Sequence, residues 1–244
     1  MSLISAAFNT AIFDPLYNGL VFFVGIIPTH DMGLAVIALT IVARILLIPL
    51  SRRAVETQLA MKKVAPDVED LKKKYKKNSP ELNQAIFALY KERGIHPFAS
   101  MGLVLIQLPL LFGLYWVFLQ AGFPEVNPDL LYSFVSVPAS VNMHFLGVID
   151  MGANHNVIFA TLVAITQFVY TRLSMGPREA KPKSTPVEAT LSGDMARSFD
   201  FQARYMFPIM FGAISYFIAA AAPLYWVTSN TFMIAQEYFA GRRF

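Results

Sequence analysis

Arg44 is the residue whose position most needs a chemical explanation, because it lies inside the apolar segment 33–50. A charged side chain at the centre of a membrane helix costs about 2.5–3.5 kcal/mol on insertion scales. Arg44 precedes Arg52 by eight residues, which is about 12 Å of helix, and an arginine side chain can snorkel over only part of that distance. We therefore expect Arg44 to face protein or water rather than lipid, where its charge would attract acidic segments of another molecule.

Polar side chains in other apolar segments come to a depth similar to that of Arg44. These residues are Gln107, Gln167, Gln236 and Glu237. We expect a hydrophilic cavity at this depth that opens to the cytoplasm, with Arg44 as its positive floor. The alternatives are a structural ion pair between Arg44 and Glu237, hydrogen bonds from Arg44 to helix carbonyls, and glutamines that only bridge helices.

The sequence lacks the residues and motifs of most catalytic sites. It contains no cysteine, which excludes disulfides, thiolate metal sites and cysteine nucleophiles. Its four histidines, His30, His96, His144 and His155, do not have the spacing of metal ligands. No P-loop, dinucleotide-binding fingerprint, G-x-S-x-G or H-E-x-x-H motif is present in the 244 residues. We therefore expect neither an enzyme nor a cofactor or metal site.

The composition indicates a membrane protein. Hydrophobic residues make up 55% of the chain and charged residues 15%, whereas soluble domains carry about 25% charge. A membrane helix needs about 20 predominantly apolar residues, and five segments approach that length: residues 33–50, 98–120, 156–173, 205–222 and 224–240. Pro223 separates the last two, which predicts a tight helical hairpin. Residues 16–28 are apolar but too short to cross, so they predict an interfacial helix, with a sixth span as the alternative.

The distribution of Lys and Arg predicts the orientation in the membrane. Eleven lie in residues 51–97, six in residues 172–204 and two in the last three residues, whereas residues 1–32 and 121–155 contain none. Cytoplasmic loops carry the excess of positive charge, so the two basic loops and the C-terminus are predicted to be cytoplasmic and the N-terminus external. The basic loops would also bind anionic lipid head groups, and we expect no specific binding of nucleic acid.

The predicted fold is an all-α membrane protein with five transmembrane helices, an external interfacial helix and a cytoplasmic helical hairpin. Its predicted parts are an external N-terminal segment 1–32, a first transmembrane helix 33–50, a cytoplasmic hairpin 51–97, four further transmembrane helices within 98–240, a flexible cytoplasmic linker 174–200 inside that range and a short tail 241–244.

The predicted cytoplasmic hairpin has an apolar stripe on each of its helices. On the first, Val55, Leu59, Val64, Val68, Leu71 and Tyr75 recur every three to five residues. Ser79 is placed to cap the second helix and Pro80 to occupy its first position, while Pro66 predicts a break in the first helix. The alternative is a solvated basic loop without a partner for these stripes.

Several motifs in this order resemble the YidC/Oxa/Alb family of membrane protein insertases. The longest resemblance runs over residues 61–115, through M-K-K-V-A-P-D-V-E-D-L-K-K-K-Y-K, L-Y-K-E-R-G-I-H-P-F and Q-L-P-L-L-F-G-L-Y. P-L-Y-N-G-L-V at residues 15–21 is similar to the external interfacial helix of the family, A-R-I-L-L-I-P-L contains Arg44 where the family has its groove arginine, and L-Y-W-V-T-S-N at residues 224–230 is similar to its last span. The resemblance covers about residues 13–240 and is closest to short bacterial members without a large periplasmic domain.

The resemblance implies a multi-pass protein of the bacterial plasma membrane that inserts and folds other membrane proteins. Family members work alone or beside the Sec translocon, and their partners are nascent membrane proteins and the ribosome. A hydrophilic groove receives the client, and its arginine attracts acidic residues of the translocated segment. By motif, the groove residues here would be Arg44, Gln167 and Trp226, with Gln107 in the Q-x-P motif and Gln236 beside them.

Two other functions fit some of the same residues. A small anion transporter or channel could use Arg44 as its anion site, but it should show inverted repeats and broken helices in corresponding halves, which the sequence does not. A membrane scaffold would have no use for Arg44. For Trp226 and Tyr225, the alternative to a role in a groove is an ordinary aromatic belt at the membrane interface.

Overall fold

The computed structural model describes residues 7–75, 79–95, 99–120, 122–176 and 201–241, which are mostly helical. The α-helices are α1 Asp14–Ile26, α2 Met32–Leu46, α3 Ile48–Lys63, α4 Ala65–Lys74, α5 Pro80–Glu92, α6 Ala99–Gln120, α7 Val157–Met175, α8 Phe207–Tyr216 and α9 Ala221–Phe239. Turns of π-helix, Asn9–Phe13 and Gln202–Met206, precede α1 and α8. A short antiparallel hairpin, β1 His144–Phe145 and β2 Ile149–Asp150, lies between α6 and α7.

The chain forms two compact units. The first consists of Met1–Arg44 and Leu111–Phe244, and the second of Ile45–Leu110. In the first unit α7 packs against both α8 and α9. Gly212 of α8 permits this contact, because a Cβ atom there would lie 2.8 Å from Ala164 Cβ and 3.0 Å from Ala160 O.

The predicted first span, residues 33–50, is divided between two helices. α2 ends at Leu46 and α3 begins at Ile48, with Leu47 between them. Pro49 accounts for the division, because proline has no N–H to bond the carbonyl of Ile45 and its ring clashes with that carbonyl. Proline is tolerated in the first turn of a helix, which is where α3 places it. The first helix of this segment thus ends at Leu46, and the end of the membrane span at residue 50 remains a prediction.

The turn of the last helical pair also lies elsewhere than predicted. α8 ends at Tyr216 and α9 already begins at Ala221, so the turn precedes Pro223. Pro223 lies in the first turn of α9, where backbone N–H groups have no partner inside the helix in any case. The two helices thus occupy Phe207–Tyr216 and Ala221–Phe239, and the membrane spans 205–222 and 224–240 remain predictions. In the same way, α7 continues to Met175, so the predicted linker 174–200 begins too early, and its residues 177–200 lie outside the described part.

One helix among the described residues, Val157–Met175, is both long and apolar enough to cross a membrane. Met32–Leu46 is apolar but shorter, and so is Leu110–Gln120, the part of α6 whose side chains are described. The number of spans and their orientation therefore remain predictions from the sequence.

The second unit contains the predicted cytoplasmic hairpin. α4 packs against α5, and Arg93 Nη2 lies 3.1 Å from Asp67 Oδ2. Ser79 accepts a hydrogen bond from the Leu82 backbone N–H at 3.1 Å, so it caps α5 as predicted. The predicted break at Pro66 is present between α3 and α4, with Pro66 in the first turn of α4. The side chains of Val55 and Leu59 lie outside the described residues.

In the first unit, α1 occupies the segment predicted as an interfacial helix. It buries Tyr17, Leu20, Val21 and Val24 completely. Asn18, also buried, donates to Leu130 O at 2.9 Å and accepts from the Tyr132 N–H at 2.6 Å. These contacts attach α1 to the segment between α6 and α7. Whether the helix lies on the membrane surface remains a prediction.

Candidate functional site

Arg44 lies on the buried face of α2. Val36, Thr40 and Arg44 follow one another at intervals of four residues, which places them on one side of the helix. All three are buried, and Arg44 is only 6% exposed. The Thr40 hydroxyl donates to Val36 O at 2.6 Å, so its polar group is satisfied within the helix. The side chain of Arg44 therefore points into protein.

The guanidinium of Arg44 reaches α9. Its Nη2 donates a hydrogen bond to the Ser229 hydroxyl, which is itself fully buried. The phenol groups of Tyr170 on α7 and Tyr225 on α9 also interact electrostatically with Arg44. Arg44 is thus hydrogen-bonded to α9, the helix that packs against α7.

Asn230, the next residue on α9, joins a second set of polar side chains on α7. Its Nδ2 lies 3.0 Å from Gln167 Oε1 and 3.3 Å from Thr166 Oγ1. Gln167 Nε2 in turn donates to Thr171 Oγ1 at 3.3 Å. Asn230 is 4% exposed and Gln167 is half-buried, so this carboxamide pair is a partly buried polar contact between two apolar helices. Such contacts fix the rotation of membrane helices relative to one another.

Trp226 and Glu237 lie on the same face of α9 as Ser229 and Asn230. Trp226 is buried against Phe211 of α8, with ring centroids 4.6 Å apart. This ring therefore contacts protein, unlike the rings of an aromatic belt, which face the interface. Glu237 is also buried, eight residues beyond Ser229, or about 12 Å along the helix.

The structure brings some of the predicted site residues together. Arg44 and Gln167 bond to consecutive residues of α9, and Trp226 lies one turn before them. Gln236 is half-buried next to Glu237, nearer the end of α9. Gln107 belongs to α6, but its side chain lies outside the described residues. The opening of a cavity to the cytoplasm remains a prediction.

Sequence reasoning did not single out Ser229 and Asn230 as the partners of Arg44 and Gln167. Their only signal is the polar triplet Thr228-Ser229-Asn230 within an apolar segment. In the structure Thr228 differs from the other two, because its hydroxyl donates at 2.8 Å to Leu224 O of its own helix.

The chemistry available at this site is electrostatic attraction and hydrogen bonding. A guanidinium carries five N–H donors and stays charged, and its attraction for a carboxylate is stronger in apolar surroundings than in water. In the described part of the chain, no group of three or more His, Asp or Glu side chains could hold a metal ion. The site is therefore suited to holding an acidic group near an apolar helix bundle.

The comparisons with known proteins identify similar chains. The family model described as 60Kd inner membrane protein matches residues 22–244. A protein of Polynucleobacter asymbioticus named membrane protein insertase YidC is 30% identical over 214 residues, which are 88% of this chain and 33% of the relative. A protein of Clostridium tetani with the same name is 29% identical over 209 residues, which are 86% of this chain and 81% of the relative.

A solved structure shares the fold. It is described as an active YidC insertase crystal structure with the first transmembrane domain resolved. The match has a TM-score of 0.58 and 23% sequence identity, and it covers 93% of this chain and 46% of the other. The present chain thus spans about a third of the length of several relatives and most of the length of the clostridial one.

Proposed function

The chain belongs to the 60Kd inner membrane protein family, and from this membership we propose that it inserts and folds other membrane proteins. The same membership confirms the resemblance of the sequence to the YidC/Oxa/Alb insertases. Relatives that carry the insertase name match over most of this chain. The observation that carries the proposal is the burial of Arg44 at 6% exposure within an apolar helix bundle.

The proposed role of Arg44 is to attract acidic residues of a client segment into the membrane. Gln167, Trp226, Gln107 and Gln236 would line the path beside it, and the Gln167–Asn230 contact supports this placement for Gln167. Polar groups along the path shorten the apolar distance that a client tail must cross, and the cation lowers the electrostatic cost for an acidic tail. Apolar client helices would then leave sideways into lipid, driven by burial of their apolar surface in the bilayer.

The proposed setting is the bacterial plasma membrane, with five spans, an external N-terminus and a cytoplasmic C-terminus. The eleven cations of residues 51–97 support this orientation. The basic hairpin would bind anionic lipids, and any contact with the ribosome would fall to this hairpin and the basic linker. Insertion would proceed either independently of the Sec translocon or beside it.

The test is insertion into liposomes that contain only this protein. The client has a single apolar span and an acidic N-terminal tail, and protection of the tail from protease measures translocation. We expect protection above that of empty liposomes, retained by Arg44→Lys and reduced about tenfold or more by Arg44→Ala. A second client, with its acidic residues changed to Asn and Gln, should be affected much less by either substitution.

Arg204→Ala is the matched control for loss of a buried arginine. Arg204 is 8% exposed and donates a hydrogen bond at 2.9 Å to Gly176 O at the end of α7. Its bond is thus to another residue than Ser229, the partner of Arg44. If Arg204→Ala lowers insertion of both clients as much as Arg44→Ala does, the effect reflects folding and not the charge. Insertion that is unaffected by Arg44→Ala would contradict the proposed role of Arg44, and an anion flux abolished by it would favour a transporter.

A further inference from the structure

The tip of the β-hairpin, residues 145–148, combines exposed apolar side chains with a strained backbone. Leu146 is 66% exposed and Val148 is 79% exposed. Leu146 has φ +51°, in the left-handed region that glycine and asparagine adopt far more readily than leucine. Gly147 follows with φ +76°, so the two residues form a tight turn. A bulky aliphatic residue at such a position is unfavourable for folding, which points to a role for its side chain.

A buried carboxylate holds this tip in place. Asp31, at 3% exposure, precedes α2 and accepts hydrogen bonds from the Gly33 and Leu34 N–H groups at 2.7 and 3.0 Å. Its second oxygen accepts from the Leu146 N–H at 2.8 Å. One side chain thus caps α2 and fixes the strained residue, so the tip has a defined position at the start of an apolar helix.

The neighbours of Phe145 place the tip at the start of α7, the described helix that is long and apolar enough to cross a membrane. The rings of Phe145 and Phe159 lie 6.3 Å apart, and Phe159 belongs to the first turn of α7. Phe145 also covers Gly33, where a Cβ atom would come within 2.3 Å of its ring. In the same first turn of α7, Val157 and Ile158 are 63% and 60% exposed, as expected of side chains that face lipid. The exposed tip is therefore at the level where this apolar surface begins.

We propose that residues 145–148 form a wedge that inserts Leu146 and Val148 into the outer leaflet of the lipid bilayer. Residues 121–155 contain no Lys or Arg, so the contact depends on burial of apolar surface and not on attraction to anionic head groups. A rigid tip avoids most of the ordering cost that a flexible loop would incur on insertion. The proposal rests on the membrane location of the family and is independent of insertase activity.

The absence of cysteine makes a direct measurement of depth possible. Leu146→Cys and Val148→Cys are each labelled with a nitroxide in vesicles of phosphatidylcholine alone, and collisions with oxygen and with a water-soluble nickel complex are measured. Asp150→Cys, at an exposed polar position of the same hairpin, is the matched control. We expect nickel accessibility at 146 and 148 to be at least fivefold lower than at 150, with oxygen accessibility higher. The φ of Val148 is not positive, so cysteine at this position does not strain the turn. The label at 148 therefore measures depth even if Leu146→Cys disturbs the turn.

Two results would overturn the proposal. Nickel accessibility at 146 and 148 equal to that at 150 would mean that the tip stays in water. Protection that disappears when the labelled protein is diluted with lipid alone, and persists when unlabelled protein is added, would mean that a second copy of the chain covers the tip. Unchanged protection when anionic lipid is added is the expected outcome, because no cation takes part.

Discussion

The guanidinium of Arg44 donates a hydrogen bond to the hydroxyl of Ser229, although 185 positions separate the two residues in the sequence. The hydroxyl is neutral, so this contact orients the guanidinium without itself cancelling the charge. Ser229 is followed by Asn230, which bonds to Gln167 at 3.0 Å. Two consecutive residues of α9 therefore hold the cation of α2 and the carboxamide of α7 in place.

Ser229→Ala should weaken both the fold and the insertion of acidic clients. A hydrogen bond to a charged group contributes about 1.5–3 kcal/mol, and the Ser229 side chain is fully buried. We expect a loss of unfolding free energy of that size in detergent, together with reduced protease protection of the acidic client tail.

Ser229→Thr, which keeps the hydroxyl, should preserve insertion. Thr228→Ala is the matched control, because the Thr228 hydroxyl bonds only the backbone of its own helix among the contacts described for it. Equal losses of acidic-client insertion in Ser229→Ala and Thr228→Ala would contradict a positioning role for Ser229.

Gly212→Ala should loosen the packing of α7 against α8. The new Cβ atom would lie 2.8 Å from Ala164 Cβ and 3.0 Å from the Ala160 backbone oxygen, and neither atom is the flexible end of a side chain. Overpacking of this kind costs about 1–3 kcal/mol. Thermal unfolding in detergent measures the loss.

Gly25→Ala is the control for the same substitution in another helix. A Cβ atom at Gly25 would have no neighbour within 4 Å, so only the higher helix propensity of alanine remains. This variant should be neutral or more stable by up to about 1 kcal/mol. A Gly212→Ala variant as stable as Gly25→Ala would mean that α7 and α8 lie further apart than described.

Local signals in the sequence predicted helix starts and breaks better than they predicted partners. Ser79 caps α5 and Pro66 marks the break between α3 and α4, because both effects depend on residues a few positions apart. Pro223 was placed between the last two helices but lies in the first turn of α9, since proline in a first turn begins a helix as readily as it ends one. Boundaries within an apolar segment have no polar residue to mark them.

The contacts of the candidate site depended on the tertiary fold. The burial of Arg44 followed from its apolar neighbours, whereas its contact with Ser229 depends on how α2 and α9 meet. The hydrogen bond from the Leu146 N–H to Asp31 was not predicted either, because it joins an acidic residue before α2 to a turn 115 residues later. The residues of each pair are far apart in the sequence, and only the tertiary fold brings them into contact.

Asp31→Ala should detach the hairpin tip from α2. The substitution removes the cap of α2, at a typical cost of about 1–2 kcal/mol, and leaves the Leu146 N–H without its carboxylate. Hydrogen exchange of the Leu146, Gly33 and Leu34 amides should accelerate together. In Asp31→Asn the side-chain oxygen can still cap α2, so only the Leu146 amide should exchange faster. Acceleration confined to Gly33 and Leu34 in either variant would contradict the hydrogen bond between the Leu146 N–H and Asp31.

The Ser79 cap makes the start of α5 sensitive to acid. Hydrogen bonds from its own backbone N–H and then from the Ser79 side chain lower the pKa of Glu81 below its usual range. A carboxyl whose pKa is lowered in the folded state stabilises that state above its unfolded pKa, about 4.3, and this contribution is lost as the pH falls through the folded value. The N-terminal turn of α5 should therefore open as the pH falls below about 4.

Ser79→Ala tests whether the cap of α5 and the low pKa of Glu81 depend on the same side chain. The substitution removes both the cap and one of the two hydrogen bonds to the Glu81 carboxylate. The helix should lose about 1 kcal/mol of local stability at neutral pH, and the pKa of Glu81 should rise toward its usual value. Amide exchange at Leu82 and an NMR titration of Glu81 measure the two effects separately. Ser79→Thr should leave both unchanged, since threonine also caps. A pKa of Glu81 that stays low in Ser79→Ala would show that the backbone bond alone is responsible.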